Sequence, residues 1–207
     1  STTAGSFGTT KNSFGFGTGR LNNFSFDGRF SVINSNGFID RSAANLKSLW
    51  LGAGFSKGAS SLRLLLFTGV EKTGQAWYGV PEAKLRNDEA ALLTHYYNNI
   101  GALYFTPGDS INLFNSDNRT YNYYTYENQT DNYRQDNYQL HYALRLPGSW
   151  TANAAFHYTR GSGYYEEYVH DASLADYGAA PGIIGNDTIT QTNLVRRRWL
   201  ENDFFGT

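Results

Sequence analysis

Two stretches decide how this chain folds. One is Phe24-Ser25-Phe26-Asp27-Gly28-Arg29-Phe30-Ser31-Val32 and the other is Tyr138-Gln139-Leu140-His141-Tyr142-Ala143-Leu144-Arg145-Leu146. In both, apolar residues alternate with charged or amide ones. That is the period-2 pattern of a strand lying between two unlike environments. Working outward, similar stretches recur and are joined by connections that are alternately short and long. Short turns at one end and long loops at the other are the pattern of a transmembrane β-barrel, with its periplasmic turns and extracellular loops. The expected fold is all-β: an antiparallel barrel segment of about seven strands.

Those strands are expected near Lys11–Gly19, Phe24–Asn34, Leu46–Phe55, Ser61–Lys72, Asn132–Leu146, Thr151–Gly161 and Arg196–Phe205. Long loops then fall at about 73–132 and 162–194. Phe24, Phe26, Phe30, Val32, Leu49, Leu51, Phe55, Tyr138, Leu140, Tyr142, Leu144, Leu146, Ala152, Ala154, Phe156 and Tyr158 are expected to meet lipid. Asp27, Arg29, Gln139, His141, Arg145, Asn153 and His157 would face a polar lumen. The strand near Ser61 is ambiguous, because Leu62, Leu64 and Leu66 oppose Arg63, Leu65 and Phe67. An antiparallel sandwich also alternates inside and outside. Loops as unequal as these favour the barrel.

Composition narrows the function classes. Aromatic residues make up 16% of the chain, with 16 Tyr, and there are 22 Gly. Barrels use such residues for interfacial girdles and sharp turns. Mean hydropathy is only −0.51, and no apolar run is long enough for a membrane helix. A formal net charge of −1 leaves no electrostatic basis for a nucleic-acid partner. With no cysteine, thiol catalysis and cysteine metal sites are excluded. The abrupt start at Ser1 and the end within a strand-like stretch point to an internal piece of a longer chain.

Several segments resemble TonB-dependent outer-membrane receptors of the Bacteroidetes type. Asn34-Ser35-Asn36-Gly37-Phe38-Ile39-Asp40-Arg41-Ser42 looks like the loop after an early barrel strand in that family. Gln75-Ala76-Trp77-Tyr78-Gly79-Val80-Pro81 and the Tyr121–Tyr133 segment resemble its loops, and His157–Tyr168 a further strand-to-loop passage. The resemblance runs in family order over nearly the whole chain. It implies a 22-stranded barrel around a plug, of which residues 1–207 would be about a third, the plug being absent. It also implies uptake of a nutrient (siderophore, glycan or peptide) across a Gram-negative outer membrane. Outer-membrane lipid, the TonB complex and a surface lipoprotein are the partners it implies, and it calls for no cofactor.

The chemistry is expected in the loops. Trp77, Tyr78, Tyr104, Arg119, Tyr121, Tyr123, Tyr124, Tyr126, Asn128 and Gln129 are the candidate ligand-binding residues, since tyrosine and amide side chains suit polar ligands. The same tyrosines would serve equally as girdle and spacer on strands rising above the membrane. A short helix is expected over Glu82–Tyr97. His141 and His157 are expected as diagonal neighbours on one face, a pair that would need a third ligand to hold a metal. Catalysis finds little support. Glu166 and Glu167 point to opposite faces of a strand, and Gly15-Phe16-Gly17-Thr18-Gly19 precedes no helix as a phosphate loop must. Arg196-Arg197-Arg198 is expected to be a mixed-charge strand end, given Glu201 and Asp203. Three Asn-X-Thr matches, beginning at Asn118, Asn128 and Asn186, are no more than so Asn-rich a chain produces by chance. The alternatives are a structural or adhesive barrel and a soluble glycan-binding sandwich.

Overall fold

A computed structural model describes all residues, 1–207. Strands take up 57% of the chain and helices 14%. The elements are β1 (Thr2–Ala4), β2 (Thr10–Leu21), β3 (Phe24–Ser35), β4 (Ala44–Lys57) and β5 (Ser60–Gly74), then helices α1 (Glu82–Leu85), α2 (Glu89–Asn98) and α3 (Pro107–Asn115). They are followed by β6 (Thr130–Arg145), β7 (Thr151–Ser173), β8 (Gly182–Ile184), β9 (Asp187–Ile189) and β10 (Gln191–Gly206). One eight-stranded antiparallel sheet runs β1-β2-β3-β4-β5-β6-β7-β10, and β8 and β9 form a separate hairpin. The sheet is not closed into a barrel. No second sheet packs on it, so the sandwich does not form.

Register makes one face of this sheet continuous. Phe24 pairs with Phe55, Phe26 with Ala53 and Phe30 with Leu49. Phe55 then pairs with Leu62, Ala53 with Leu64 and Leu51 with Leu66. Leu62, Leu64 and Leu66 pair in turn with Tyr142, Leu140 and Tyr138, and these with Ala154, Phe156 and Tyr158. The ambiguity on β5 is thereby settled: its even-numbered leucines join the apolar face. The opposite face alternates Asp27, Arg29, Arg63, Gln139, His141 and His157 with small residues. It also carries one apolar cluster, Trp50, Leu65 and Phe67. His141 pairs with Ala155 and Gln139 with His157, so the two histidines are diagonal neighbours on that face. No cluster of three metal-ligating side chains forms.

Only 15 of 207 residues are buried. A single sheet exposes both faces, and the apolar one stays uncovered. Four of the five buried hydrophobic residues lie off the sheet, in the β5–β6 excursion.

Connections at one end are tight. β2 turns into β3 through Asn22-Asn23, with Asn22 at φ 56° as a two-residue hairpin demands. Pro147, Gly148 and Ser149 link β6 to β7. At the other end lie the β3–β4 loop, the β5–β6 excursion and the β7–β10 connection. The expected 162–194 loop is corrected: β7 continues to Ser173, and the connection is only Leu174–Thr190. The expected single helix at Glu82–Tyr97 is also corrected. Asn87, at φ 55°, breaks it between α1 and α2, and a third helix follows.

Candidate functional site

The β5–β6 excursion folds into a helical cap with its own core. Leu92, Tyr104, Leu113 and Tyr121 form that core, and Tyr96, Leu103 and Tyr123 pack against it. Each longer helix has a strong start. Asp88 accepts from the Ala91 N–H at 3.0 Å at the head of α2. Thr106 and Asp109 form a reciprocal capping box at the head of α3. The far end of α3 is closed by Lys84, whose Nζ donates to the carbonyls of Leu113 at 2.6 Å and Ser116 at 2.8 Å. Burial pulls the Lys84 ammonium below its ordinary pKa, against the opposing pull of the Asp117 and Asp40 carboxylates.

A polar knot fixes the cap to the β3–β4 loop. Asn122 is fully buried. Its Nδ2 donates to the carbonyls of Asp40 at 2.7 Å and Gln75 at 2.9 Å, and its Oδ1 accepts from the Tyr124 N–H at 3.0 Å. Arg41 reaches across from the loop. It donates to the Tyr124 carbonyl at 2.7 Å, the Asn122 carbonyl at 2.9 Å and Asn112 Oδ1 at 3.1 Å. Every amide hydrogen and the oxygen of the Asn122 side chain are thus engaged, as a buried amide requires.

Between this cap and the upper part of β7 lies a cleft of about 240 Å³. The cap contributes Tyr78, Leu103, Phe105, Asp109, Tyr123, Tyr124, Tyr126 and Gln129. The strands contribute Glu167, Tyr168, Val169, His170 and Arg196. Its aromatic walls are braced by tilted, edge-to-face and stacked ring contacts. Tyr78 sits 4.7 Å from Tyr123 and 5.6 Å from Tyr124, and Phe105 stacks on His170 at 4.8 Å. Burial pushes the Tyr123 and Tyr124 phenols up to about 12, helped by the neighbouring Tyr78. Tyr121, deeper still, is pushed higher by the same cause.

Charged groups on the strand side of the cleft are paired. Glu167 bonds Arg196 and lies 3.4 Å from Arg198, while Glu166 takes Arg197 at 2.7 Å and the Tyr126 hydroxyl at 2.9 Å. The three arginines are therefore one strand of a cross-strand charge ladder.

Of the ten candidate residues, Tyr78, Tyr123, Tyr124, Tyr126 and Gln129 line the cleft. Trp77 stands at its rim, 6.4 Å from Tyr124 and 5.5 Å from Tyr165, and is exposed. Tyr104 and Tyr121 are corrected to core positions, 3% and 2% exposed, where they hold the helices and present nothing to solvent. Arg119 and Asn128 are exposed but lie outside the cleft. Glu167, His170 and Arg196 join the cleft without having been among the candidates. The upward extension of β7 brings Glu167 and His170 there, and β10, paired with it, brings Arg196. No family model, curated protein or solved structure matches the chain.

Proposed function

We propose that this chain is part of the β-barrel of a TonB-dependent outer-membrane receptor, and that the cleft under its cap captures the nutrient. The observation that carries the reading is the apolar face that runs in register from β3 to β7 with no protein against it. From Phe24 to Val32 that face rises about 20 Å at a strand tilt near 40°, close to the height of a barrel's lipid band. Water is a poor partner for such a surface; lipid is a good one. The tight turns then lie on the periplasmic side, and the cap stands outside the cell where a ligand arrives.

Binding, not bond-breaking, suits the cleft. Its aromatic walls give contact area, Gln129 and Asp109 give orientation, and both nearby glutamates are already tied to guanidinium groups. Passage of the ligand would depend on the plug and TonB contact that the family resemblance implies.

Electrophoresis of the protein from isolated outer membranes, with and without boiling, tests the membrane part of this reading. A heat-dependent shift in mobility is expected. A protein found in the soluble fraction with no shift would overturn it. A membrane barrel whose removal changes no nutrient uptake would leave an adhesive or structural barrel in its place.

A further inference from the structure

β6 begins at Thr130, opposite Glu166, whereas β7 continues to Ser173. Above Glu166, β7 has a strand on one side only: Tyr168 pairs with Val195 of β10 and Val169 with Leu194. Its other side borders the cleft. The Tyr168 N–H points that way, donating to Gln129 Oε1 at 3.2 Å. So does the Glu166 carbonyl, which accepts from Gln75 Nε2 at 3.4 Å. Along a strand, peptide groups at every second residue point to the same side. The Tyr168 carbonyl and the His170 N–H therefore also face the cleft, with no strand opposite them.

Glutamine side chains hold two of these four groups, the Tyr168 N–H and the Glu166 carbonyl, and the Tyr168 carbonyl and His170 N–H stay open. Open backbone donors and acceptors on a strand edge are a template for another strand. We propose that the cleft takes an extended peptide, which adds to β7 along Tyr168–His170, above the place where β6 stops. This inference rests on the cleft being the capture site and names the class of ligand it takes.

Two further observations bear on how a peptide would sit. Gln129 is 7% exposed, lines the cleft and has no protein acceptor for its Nε2; a peptide carbonyl supplies one. Part of the aromatic surface that a sugar ring would need is covered, although Tyr78 stays 50% exposed. Phe105 and His170 lie nearly parallel, 12° apart, and Tyr168 is flanked by Tyr126 and His170. The two faces of the free edge also differ. Tyr168 and His170 flank one, while Glu167, paired with Arg196, lies on the other. Successive side chains of an added strand point to alternate faces. They would meet unlike walls, and selectivity for sequence follows.

The test uses the purified protein in detergent, immobilised and offered three pools. These are capped random pentapeptides, the same peptides N-methylated at every residue, and neutral oligosaccharides. Retention of the plain pool alone is expected. His170→Pro removes the cleft-facing N–H but no bond to β10, so it should weaken retention about tenfold, the scale of one or two lost backbone hydrogen bonds. His170→Ala removes the same side chain but keeps the N–H, so it is the reference for His170→Pro and should retain peptides about tenfold better than that variant. Equal retention of the N-methylated pool, retention of sugars only, or retention of nothing would each overturn strand addition. The N-methyl comparison needs no variant, so misfolding of His170→Pro does not blur the result. The boiling experiment reports on the membrane reading separately, so either can fail alone.

Discussion

Arg41 donates through one guanidinium nitrogen to the carbonyl of Asn122, 81 residues further along the chain, at 2.9 Å. With the bonds to Tyr124 and Asn112, this single side chain ties the β3–β4 loop to the whole cap. Arg41→Ala is expected to loosen the cap by about 2–4 kcal/mol, because charge-assisted bonds are lost and the Tyr124 carbonyl is left without a donor, while the Asn122 carbonyl keeps Asn112. Amide hydrogen exchange should rise across residues 112–124 and stay unchanged in β3 and β4. Arg41→Lys should rescue little, since an ammonium cannot span three acceptors set apart in this way.

The buried tyrosines give the cap a pH limit. Tyr123 and Tyr124 are raised to about 12, and Tyr121 further, by burial of the neutral phenol. A phenol whose folded pKa is raised favours the folded cap below its free value, near 10, and that contribution fades as pH climbs through 12. Lys84 has the opposite sign. Its lowered pKa means that the cap gains stability as pH rises toward the free lysine value. Absorbance titration at alkaline pH should show exposed tyrosines ionising first, then a late class that ionises as the cap opens. A single class near 10 would contradict the burial.

The two faces of β6 predict unequal tolerance of charge. Leu140 belongs to the apolar face and Gln139 to the polar one. Leu140→Arg should cost about 2–4 kcal/mol at mid-bilayer, and heat-resistant protein should fall in the membrane fraction. Gln139→Arg should leave that fraction near its normal level. Equal damage from both would remove the argument for a lipid-facing side.

Gly161 is held by its neighbour. A Cβ there would fall on the ring and hydroxyl of Tyr133, which lies across the strand on the polar face. Gly161→Val should displace that ring and cost about 1–3 kcal/mol. Gly161→Val combined with Tyr133→Ala should recover part of the loss in thermal unfolding.

The strands within the apolar band were legible because their two sides differ. Phe24–Asn34 was expected and Phe24–Ser35 is found. The upper half of β7 was not legible. Tyr164-Tyr165-Glu166-Glu167-Tyr168 has no alternation, because above the band both sides of the strand meet polar surroundings and the sequence has nothing to alternate between. That hidden extension is also why Glu167 and His170 were missed as cleft residues. Among the loop tyrosines, sequence gave no means of separating Tyr104 and Tyr121, which serve the core, from Tyr78 and Tyr124, which face the cleft. That difference is set by how three helices fold back on each other. One signal was available: Thr106-Pro107-Gly108-Asp109 is a helix start, and α3 follows it.

The cap leaves the sheet and returns to it at one place, where the Gln75 N–H donates to the Gln129 carbonyl at 2.9 Å. Its core includes no strand residue. An insertion whose two ends already touch behaves as a cassette. It can be lengthened, replaced or exchanged for another without asking any strand to change its pairing. If the chain captures nutrients as proposed, a lineage facing new food sources can alter what is gripped while leaving the wall beneath it untouched.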